Sequence, residues 1–415
     1  MHILFLTDNF PPEVNAPASR TFEHCREWVK LGEQVTVITC APNFPKGKVF
    51  SGYRNRLWQT ETIEGIRIIR VWTYITANEG FVRRSLDYLS FMVAATIASL
   101  WVKKVDVVIG TSPQFFTVCA AYVVGLLKCV PWVFELRDIW PESIKAVGSM
   151  GDGALYRTLE RLELFLYKKA NRIVALTQSF KKELITRGVD AEKIDVVTNG
   201  VDLSLFKPRS KDEALLKKLR LENQFIAGYI GTIGMAHGLE TIIEAAEIIQ
   251  NTPNPKNYNI KILILGDGAR KESLKQLAKD KTLENLIFID TVSKAEVADY
   301  WSLLDISIIH LKKDPLFEKV IPSKLFECMA MGIPVLHGVL GESAEIVSRL
   351  GVGKTIAPDS PQMLSQELLN ISMNAQELQQ MKVAALGGAK QFDRERLAKS
   401  MLVSITKTVK LSSVS

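Results

Sequence analysis

The sequence predicts an α/β protein of two doubly wound parallel-sheet domains. Near-continuous runs of β-branched residues alternate with helix-like stretches along the chain, which is typical of parallel strands covered on both faces. The 415 residues are too many for one ordinary core and suit two domains of roughly 200 residues each. The turn-rich stretch NGVDLSLFKPRS (199–210) interrupts the alternation. We therefore expect an N-terminal domain over residues 1–200 and a C-terminal domain over residues 201–392.

The N-terminal half opens with a strand, HILFLTD (2–8), which is followed by a helix at Ser19–Leu31. Further apolar runs predict strands at residues 34–40, 66–72, 105–111, 132–138, 172–177 and 193–199. Several runs end in turn or polar residues, among them Asp8, Thr111 and Asp138. Ligands of open parallel sheets bind just beyond the carboxyl ends of the strands, so we expect these ends to face a ligand.

The pattern restarts in the C-terminal half. Apolar runs predict strands at residues 225–232, 261–268, 286–292, 305–311 and 333–338, with a short one near 352–356. The stretches between them predict helices at 238–250 and 270–281, and another that begins at Lys294. The tail from Pro361 to about Val409 is predicted to be helical. This order favours a second doubly wound domain.

Composition excludes several classes of protein. The five cysteines are scattered and never spaced as CxxC, which favours a reducing cytosol without structural disulfides or zinc. The net charge of +7 suits phosphorylated ligands, anionic lipid or nucleic acid, but no Lys/Arg run with interleaved aromatics supports nucleic acid. The start, MHILFLTDNFPP, is predicted to be a strand rather than a signal peptide. The first strand is not followed by GxGxxG, which argues against a nicotinamide enzyme.

The segment GFVRRSLDYLSFMVAATIASLWVKK (80–104) raises the question of a membrane. Its apolar stretch, Leu86–Trp101, is flanked by Arg83-Arg84 and Lys103-Lys104. A buried helix packed on the sheet is one interpretation. A helix in the membrane interface, with its cations on anionic headgroups, is another. A true span is disfavoured because the stretch is short and interrupted by polar residues.

Two glycine-rich loops in the C-terminal half suggest a phosphate site. GTIGMAHG (231–238) and GDGARKESL (266–274) each join a strand to a helix, with glycines that would free backbone N–H groups. Arg270 and Lys271 lie in the first turn of the second helix. Helix N-termini attract anions through unpaired N–H groups and the helix dipole. Bare turns remain the alternative interpretation.

The stretch FEKVIPSKLFECMAMGIPV (317–335) is the third such element. Pro322 suits the start of a helix over 323–331, Ser323 can cap it, and Lys324 adds a cation. A diphosphate there would contact backbone N–H groups, a hydroxyl and an ammonium. Glu327, one turn into the helix, could accept two hydrogen bonds from a ribose diol. It could also be an ordinary exposed helix residue.

Polar residues of the N-terminal half collect around two strand ends. ELRDIWPES (135–143) brings Arg137 and Asp138 together with Glu135 and Glu142. The Arg137-Asp138 pair is either a plain surface pair or part of a site in which a carboxylate accepts a proton. The loop DNFPPEVNAPASR (8–20) contains small and polar residues that could approach a substrate closely: Asn15, Ala16, Ala18 and Arg20.

These motifs together resemble a known family. VVTNGVDLSLFKP, the GDG turn and PSKLFECMAMGIPVL look like the retaining GT-B glycosyltransferases of family 4. FPPEVNAPASRTFEHCREW, CAPNFPKGKV and LRDIWPES resemble the branch that builds bacterial O-antigens and exopolysaccharides, which includes N-acetyl-L-fucosamine (L-FucNAc) and colanic-acid-type transferases. The similarity runs from about residue 1 to about residue 400.

The resemblance implies a fold and a reaction. It implies two facing Rossmann-like domains with a cleft between them, and a last helix (about 393–415) that crosses back to the N-terminal domain. It implies transfer of a sugar, with its anomeric configuration retained, from a nucleotide sugar, expected to be UDP-linked, without a metal or other cofactor. The acceptor would be a saccharide on polyprenyl diphosphate. The enzyme would then be cytoplasmic and peripheral to the inner face of the bacterial cell membrane.

The resemblance also assigns site residues by position. In the donor site, Glu327 matches the ribose-binding glutamate, and Ser323 and Lys324 lie where backbone amides meet the diphosphate. Further donor-site matches are Gly266 and Gly268 beside the nucleotide, Val292 at the base, and Asn15 and Ala16 at the donor phosphates.

Three departures from the family pattern stand out. Thr232 and His237 occupy positions where members often have the Arg and Lys that touch the diphosphate. Arg137 stands where many members have the His of a His-Asp pair. Lys319 stands where the donor-sugar glutamate is expected, and a one-residue bulge that places Glu318 there is the alternative.

The sequence has moved its positive charge rather than lost it. Lys324 is the best replacement cation, with Lys319, Arg270 and Arg137 behind it. We therefore expect an active site of altered composition, in which Lys324 stabilises the leaving diphosphate and Asp138 orients the acceptor. The alternatives are a catalytically weak partner subunit with the same fold and a non-hydrolysing UDP-sugar epimerase.

Overall fold

A computed structural model describes residues 1–44, 46–76, 81–142, 153–253, 259–293 and 296–412. The chain forms two compact units. One comprises Met1–Asn199 together with Arg394–Ser415, and the other comprises Gly200–Asp393. The chain therefore passes from one unit to the other beside Asn199, in the turn-rich stretch, and returns beside Asp393. Lys294, where a helix is predicted to begin, and Ser143 of ELRDIWPES lie outside the described residues.

The N-terminal unit contains an eight-stranded sheet. Its strands are β1 (His2–Leu6), β2 (Gln34–Cys40), β3 (Trp58–Ile63), β4 (Ile66–Val71), β5 (Val107–Thr111), β6 (Trp132–Leu136), β7 (Arg172–Ala175) and β8 (Ile194–Val196). Before the chain leaves this unit at Asn199, its described helices are α1 (Ala16–Lys30), α2 (Phe81–Ser99), α3 (Phe115–Lys128), α4 (Ala154–Lys169) and α5 (Gln178–Thr186). The strand order is β3-β4-β2-β1-β5-β6-β7-β8.

The C-terminal unit contains a six-stranded parallel sheet. Its strands are β9 (Phe225–Ile230), β10 (Ile260–Leu265), β11 (Leu286–Ile289), β12 (Ile306–His310), β13 (Val335–Gly338) and β14 (Gly353–Thr355), in the order β11-β10-β9-β12-β13-β14. Its described helices are α6 (Glu213–Leu219), α7 (Glu240–Asn251), α8 (Lys271–Asp280), α9 (Val297–Ser302), α10 (Lys324–Met331), α11 (Glu342–Leu350), α12 (Pro361–Ser372) and α13 (Ala375–Ala389). The last helix, α14 (Arg394–Ser412), belongs to the N-terminal unit.

Both sheets are covered on two faces, which confirms the predicted α/β class. In β1, Ile3 and Phe5 join a buried cluster with residues of α1 and α14. Strand alternation sends Leu4 and Leu6, which are also fully buried, to the opposite face, and α3 packs against this strand. In the C-terminal unit one cluster includes residues of α7, α8 and α12, and a second includes residues of α10 and α13.

The edge strand β3 differs from the expectation. Residues 66–72 were expected to be a covered parallel strand, and β4 does pair in parallel with β2, but it also pairs antiparallel with β3. The sequence of β3, WQTETI, gave no apolar run because an edge strand is only partly covered. The predicted helical tail is also divided, because Asn374 caps α13 by accepting from the Glu377 N–H at 3.1 Å.

The segment 80–104 contains the helix α2, which is buried along one side as the first interpretation expects. Phe91 and Ala95 on α2 are fully buried, and α2 packs beside α3 and against β2 and β4. The opposite side of α2 exposes Leu86, Leu89, Val93 and Ile97 at helical spacing, and Leu100 is exposed directly after the helix. Within the part of the chain that the structure describes, every helix is too short or too polar to cross a bilayer.

Candidate functional site

The two glycine-rich loops of the C-terminal unit lie in direct contact. A Cβ atom on Gly266 would lie 1.9 Å from the Gly231 carbonyl oxygen, and one on Gly268 would lie 2.3 Å from the Ile233 carbonyl oxygen. Both glycines have φ near +150°, which side chains rarely adopt. Gly266 and Gly268 are therefore needed so that the loop after β10 can pass against the loop after β9.

The expectation that these glycines free their N–H groups is wrong at three positions. Gly231 donates to the Leu265 carbonyl at 2.9 Å, and Gly266 donates to the Ile289 carbonyl at 3.2 Å. Gly268 donates to the Asp267 carboxylate at 2.8 Å. Because these three donors already have acceptors within the unit, an anion here would depend on other groups for recognition.

Lys324, the first residue of α10, provides such a group. Its ammonium nitrogen is buried, has no hydrogen-bond partner, and lies 3.7 Å from the centroid of the Tyr229 ring. Burial lowers the pKa of Lys324 to about 8, although Glu327 and Cys328 act in the opposite direction. A Cβ on Gly231 would lie 2.7 Å from this nitrogen. The glycine therefore leaves room for the ammonium at the carboxyl end of β9.

His237 lies beside the same tyrosine. It ends a short 3₁₀ turn, Met235–His237, and its ring meets Tyr229 edge to face with centroids 6.1 Å apart. Its Nδ1 atom is buried without a partner. Burial, and then the Lys324 ammonium, lower the pKa of His237 to about 4, so the imidazole is neutral at physiological pH. One unpaired cation and one neutral imidazole thus share this corner of the unit.

Ser323 does not cap α10 with its side chain as expected. It occupies the N-cap position but has helical angles, φ −60° and ψ −29°, and its hydroxyl makes no capping hydrogen bond. The Leu325 N–H instead donates to the Pro322 carbonyl at 3.0 Å, and the Phe326 N–H donates to the Ser323 carbonyl at 3.1 Å. The helical turn therefore begins one residue earlier, and the Ser323 hydroxyl is not committed to the cap.

Two other predicted cations are placed differently from Lys324. Arg270 forms an ion pair with Glu240, so its charge is compensated within the unit. Lys271 is only 5% exposed, donates to the Gly266 carbonyl at 2.8 Å and pairs with Asp290 at 2.6 Å. In this structure Arg270 is therefore a compensated cation, and its role at the diphosphate stays a prediction.

The remaining predicted donor residues surround α10. Glu327 is half-buried one turn along the helix from Lys324, on the same side. Lys319 and Glu318 are half-buried in one 3₁₀ turn, Phe317–Lys319, where consecutive side chains project about 120° apart. The two side chains therefore project in different directions from the turn. Val292 follows β11 and packs against the apolar cluster that includes α10.

In the N-terminal unit, Asn15 serves the backbone. Its side-chain oxygen accepts the Ala18 N–H at 2.9 Å and caps α1, and its amide donates to Asn9 at 2.7 Å. Ala16, the first residue of α1, is exposed. Of the two predicted contacts, Ala16 is the one whose surface is open to a ligand.

The residues of ELRDIWPES fall into separate groups. Glu135 is 1% exposed and pairs with Arg20 at 2.8 Å, and Glu142 pairs with Arg187 at 2.6 Å. Arg137 is half-buried, and its guanidinium donates to the Pro17 carbonyl at 3.2 Å. Burial lowers the pKa of Arg137 to about 10. The surface-pair interpretation of Arg137 is therefore wrong.

Asp138 lies at the end of β6, where its backbone N–H donates to the Ser112 hydroxyl at 3.2 Å. This bond, together with one from the Arg137 N–H to the same hydroxyl at 2.8 Å, ties the end of β6 to the loop after β5. The Asp138 side chain is half-buried.

Three residues were not predicted as site residues. Asp8, just after β1, accepts a hydrogen bond from Gln114, and burial raises the pKa of its carboxyl well above the ordinary range. Nearby, burial raises the pKa of Asp87 on α2 to about 7. The third is Tyr229, and a tyrosine inside an apolar strand cannot be distinguished by sequence from a core aromatic. For Asp8, its position at a strand end was the available signal.

Comparisons with known proteins agree with the two-sheet fold. A glycosyl transferase 4-like domain matches residues 15–200, and a glycosyl transferases group 1 domain matches residues 210–386. The chain is 26% identical over 346 residues to WcaI of Escherichia coli (strain K12), a candidate glycosyl transferase of colanic acid biosynthesis, covering 80% of this chain and 82% of WcaI.

Two solved structures share the fold over nearly the whole chain. Sucrose-phosphate synthase from Thermosynechococcus elongatus superposes with a TM-score of 0.76 at 15% identity, covering 100% of both chains. HepE from Anabaena, solved in complex with UDP-glucose, superposes with a TM-score of 0.71 at 15% identity, covering 98% of this chain and 100% of HepE.

Proposed function

This chain belongs to the GT-B glycosyltransferases, with a 4-like N-terminal domain and a group 1 C-terminal domain, and we propose that it transfers a sugar from a UDP-sugar to a lipid-linked saccharide. The proposed acceptor is a polyprenyl-diphosphate saccharide in the synthesis of a bacterial surface polysaccharide. The colanic acid role printed for WcaI supports this class of product. The UDP-glucose complex of HepE supports the nucleotide. For the sugar we propose an N-acetylated aminosugar such as L-FucNAc, on the resemblance alone.

The buried ammonium of Lys324 is the observation that carries this proposal. An isolated buried cation is costly, so proteins pair such groups or place them where a ligand supplies the opposite charge. A nucleoside diphosphate beside α10 would supply that charge to Lys324. The positive helix end adds to the attraction. In this chain Lys324 on α10 would take the place of the Arg and Lys that the family resemblance leads us to expect after β9.

The same arrangement explains how the reaction would be accelerated. As the sugar leaves, negative charge develops on the departing diphosphate, and a fixed ammonium stabilises that charge more than it stabilises the intact donor. The neutral imidazole of His237 can donate or accept one hydrogen bond there without adding charge. Glu327 would accept hydrogen bonds from the ribose, and Lys319 would contact the donor sugar. We propose that the transfer retains the anomeric configuration and needs no metal.

We assign the acceptor to the N-terminal unit. Asp138 would orient the acceptor hydroxyl, and Arg137 would offset the charge of the carboxylate or of a phosphate. The contact of Arg137 with the Pro17 carbonyl places it beside the N-terminus of α1. Ala16, exposed at that N-terminus, is the residue that the resemblance assigns to the donor phosphates.

We further propose that the N-terminal unit docks at the cytoplasmic face of the membrane. The exposed row on α2 continues onto its neighbour α3, and together these side chains form what we call the outer apolar surface: Leu86, Leu89, Val93, Ile97, Leu100, Val123, Leu126 and Leu127. Each of these side chains is between 37% and 60% exposed. Such a patch exceeds the scattered apolar exposure of an ordinary soluble surface.

The composition around the outer apolar surface favours lipid as its partner. Trp101 is 63% exposed at one end, beside Trp58, with ring centroids 6.2 Å apart. Tryptophan is enriched at membrane interfaces. Arg83 at one end, and Lys103 and Lys104 at the other, are exposed cations that would meet anionic headgroups. A lipid-linked acceptor would then be presented to the enzyme where it docks.

Calorimetry with UDP tests the donor site. Lys324→Met removes the ammonium but keeps a long apolar side chain, and we expect UDP affinity to fall roughly 10- to 100-fold, since a charge-assisted contact contributes about 1.5–3 kcal/mol. Lys217→Met, an exposed lysine on α6, is the matched control and should leave the affinity unchanged. Equal affinities of the Lys324 variant and the control would refute the assignment.

Vesicle co-sedimentation tests the membrane proposal. Val93→Glu combined with Ile97→Glu should remove most binding to vesicles that contain phosphatidylglycerol, because two carboxylates would enter the apolar layer. Val403→Glu on α14, which is equally exposed but lies outside the outer apolar surface, is the control. If both variants bind vesicles like the unaltered protein, the outer apolar surface does not dock on lipid.

A further inference from the structure

We propose that Tyr229 is a positioning residue for donor binding: its ring holds the Lys324 ammonium in place, and its hydroxyl holds the loop that carries His237. This inference rests on the donor site proposed above, which it deepens by naming the residue that fixes the cation. Tyr229 lies on β9, one residue before the strand ends, and is fully buried.

The ring provides a fixed platform for a flexible side chain. A lysine has four rotatable bonds, so an ammonium without a hydrogen-bond partner has no geometric reason to stay in one place. The Tyr229 ring face, 3.7 Å from the ammonium nitrogen, attracts the cation electrostatically. Since Tyr229 is packed among core residues of α7, α8 and α12, the ring itself cannot follow the lysine away. The ammonium is thereby held ready without being neutralised.

The hydroxyl fixes the neighbouring loop. Tyr229 Oη donates to the Thr232 carbonyl at 2.6 Å. Three further carbonyls of the loop accept from other parts of the unit: Ile233 from the Arg270 N–H, Ala236 from the Lys312 N–H, and His237 from His310 Nδ1. The loop is therefore fixed through its carbonyl oxygens, and Tyr229 provides the contact nearest to the strand.

Three ionisable groups lie near the Lys324 ammonium in addition to the Tyr229 ring. Glu327 and Cys328 face it from its own helix, and His237 faces it from the loop after β9. Burial raises the pKa of the Cys328 thiol to about 12, so this thiol is neutral, as is His237. Glu327 is then the one carboxylate among these groups, and it is assigned to the ribose. The ring stabilises the ammonium without competing for the diphosphate.

Two substitutions separate the roles of ring and hydroxyl. Tyr229→Phe keeps the ring and should lower UDP affinity by no more than roughly fivefold. Tyr229→Leu removes the ring and should lower it by roughly tenfold or more. Tyr229→Met, closer in length to tyrosine, serves if the leucine variant folds poorly. Melting temperatures of all variants establish that binding is measured on folded protein.

The pH dependence of UDP binding distinguishes positioning from general stability. UDP affinity should decline as pH rises above the pKa of Lys324. Without the ring, the charged form loses its stabilising contact, so the decline should begin about one pH unit lower in Tyr229→Leu or Tyr229→Met than in Tyr229→Phe. If the tyrosine were merely structural, its substitution would change the melting temperature but not the pH midpoint of the decline in UDP affinity.

The outcomes identify which proposal fails. If UDP affinity depends on Lys324 but neither the affinity nor its pH midpoint changes when the ring is removed, the positioning role of Tyr229 is overturned and the donor site stands. If UDP affinity does not depend on Lys324 at all, the donor site is refuted and the role of Tyr229 is refuted with it.

Discussion

Arg20 in the N-terminal unit and Lys324 in the C-terminal unit are both cations with buried nitrogens, but their surroundings differ. Arg20 is 1% exposed, pairs with Glu135 at 2.8 Å, and donates to the Val197 and Thr198 carbonyls at 3.0 and 2.7 Å. Lys324 has the face of Tyr229 at 3.7 Å and no hydrogen-bond acceptor.

This difference shows how a buried cation that stabilises the fold can be distinguished from a buried cation that binds a ligand. A buried cation that is paired with a carboxylate and donates to backbone carbonyls needs no ligand, and its function is to fix the chain. In this case Arg20 fixes the last residues before the chain leaves the N-terminal unit. A buried ammonium without an acceptor is instead destabilising until an anion arrives. Removing the charge of Arg20 should therefore lower the stability of the protein. Removing the charge of Lys324 should instead raise the stability and weaken UDP binding.

The largest effect is expected at the paired cation. Arg20→Leu leaves Glu135 buried without its partner, and we expect the free energy of unfolding of the N-terminal unit to fall by about 3–5 kcal/mol. Urea denaturation of the full chain measures this change. Arg26→Leu, on the same helix but paired with Glu27 at a partly exposed site, is the control and should cost less than about 1 kcal/mol. A loss as small as that of the control would show that the Arg20 pair is not structural.

At the unpaired cation the sign should reverse. Lys324→Met removes a buried charge, so we expect the C-terminal unit to become more stable by about 1–3 kcal/mol at neutral pH, even as UDP binding is lost. Thermal unfolding of both proteins without ligand measures the difference. A substantial loss of stability would mean that Lys324 is part of the structure in the way Arg20 is.

The pH dependence sharpens the same comparison. The pKa of Lys324 is lowered from 10.5 to about 8 on folding, so the unfolded chain binds more protons between these values. The stability of the unaltered protein should therefore rise relative to Lys324→Met as pH increases from about 8 to 10.5, because the cost of the buried charge disappears. UDP affinity should fall over the same range. Parallel changes of stability and affinity would contradict the assignment.

Much of the fold was predictable because its signals are local. Strand runs such as HILFLTD and KILILGDG have the near-continuous apolar pattern that parallel, doubly covered strands require, and they form β1 and β10. The edge strand β3 was not predicted because half of its residues face solvent, and its polar composition matches that of a loop. The domain boundary was visible because turn chemistry interrupts a regular alternation.

The site was predictable only in part, since charge compensation is a property of three-dimensional neighbours. Lys324, Glu327 and Ser323 could be placed by helix spacing and by family resemblance. That Glu240 neutralises Arg270, 30 residues further along the chain, and that Tyr229 lies under the Lys324 ammonium have no local signal. Sequence therefore identified the cations but not which of them remains unpaired.

The smallest effect is expected at Arg270, which the sequence offered as a second phosphate cation. Because Glu240 compensates its charge and both side chains are about one-third exposed, Arg270→Gln should change UDP affinity by less than roughly threefold and stability by less than about 1 kcal/mol. Glu240→Gln is the informative partner variant, since it leaves Arg270 in place and removes its carboxylate. If only compensation keeps Arg270 from the diphosphate, Glu240→Gln should raise UDP affinity. If Arg270→Gln instead weakens UDP as much as Lys324→Met does, a paired cation can serve the phosphates as well as an unpaired one, and the contrast between the two kinds of buried charge fails as a guide to the site.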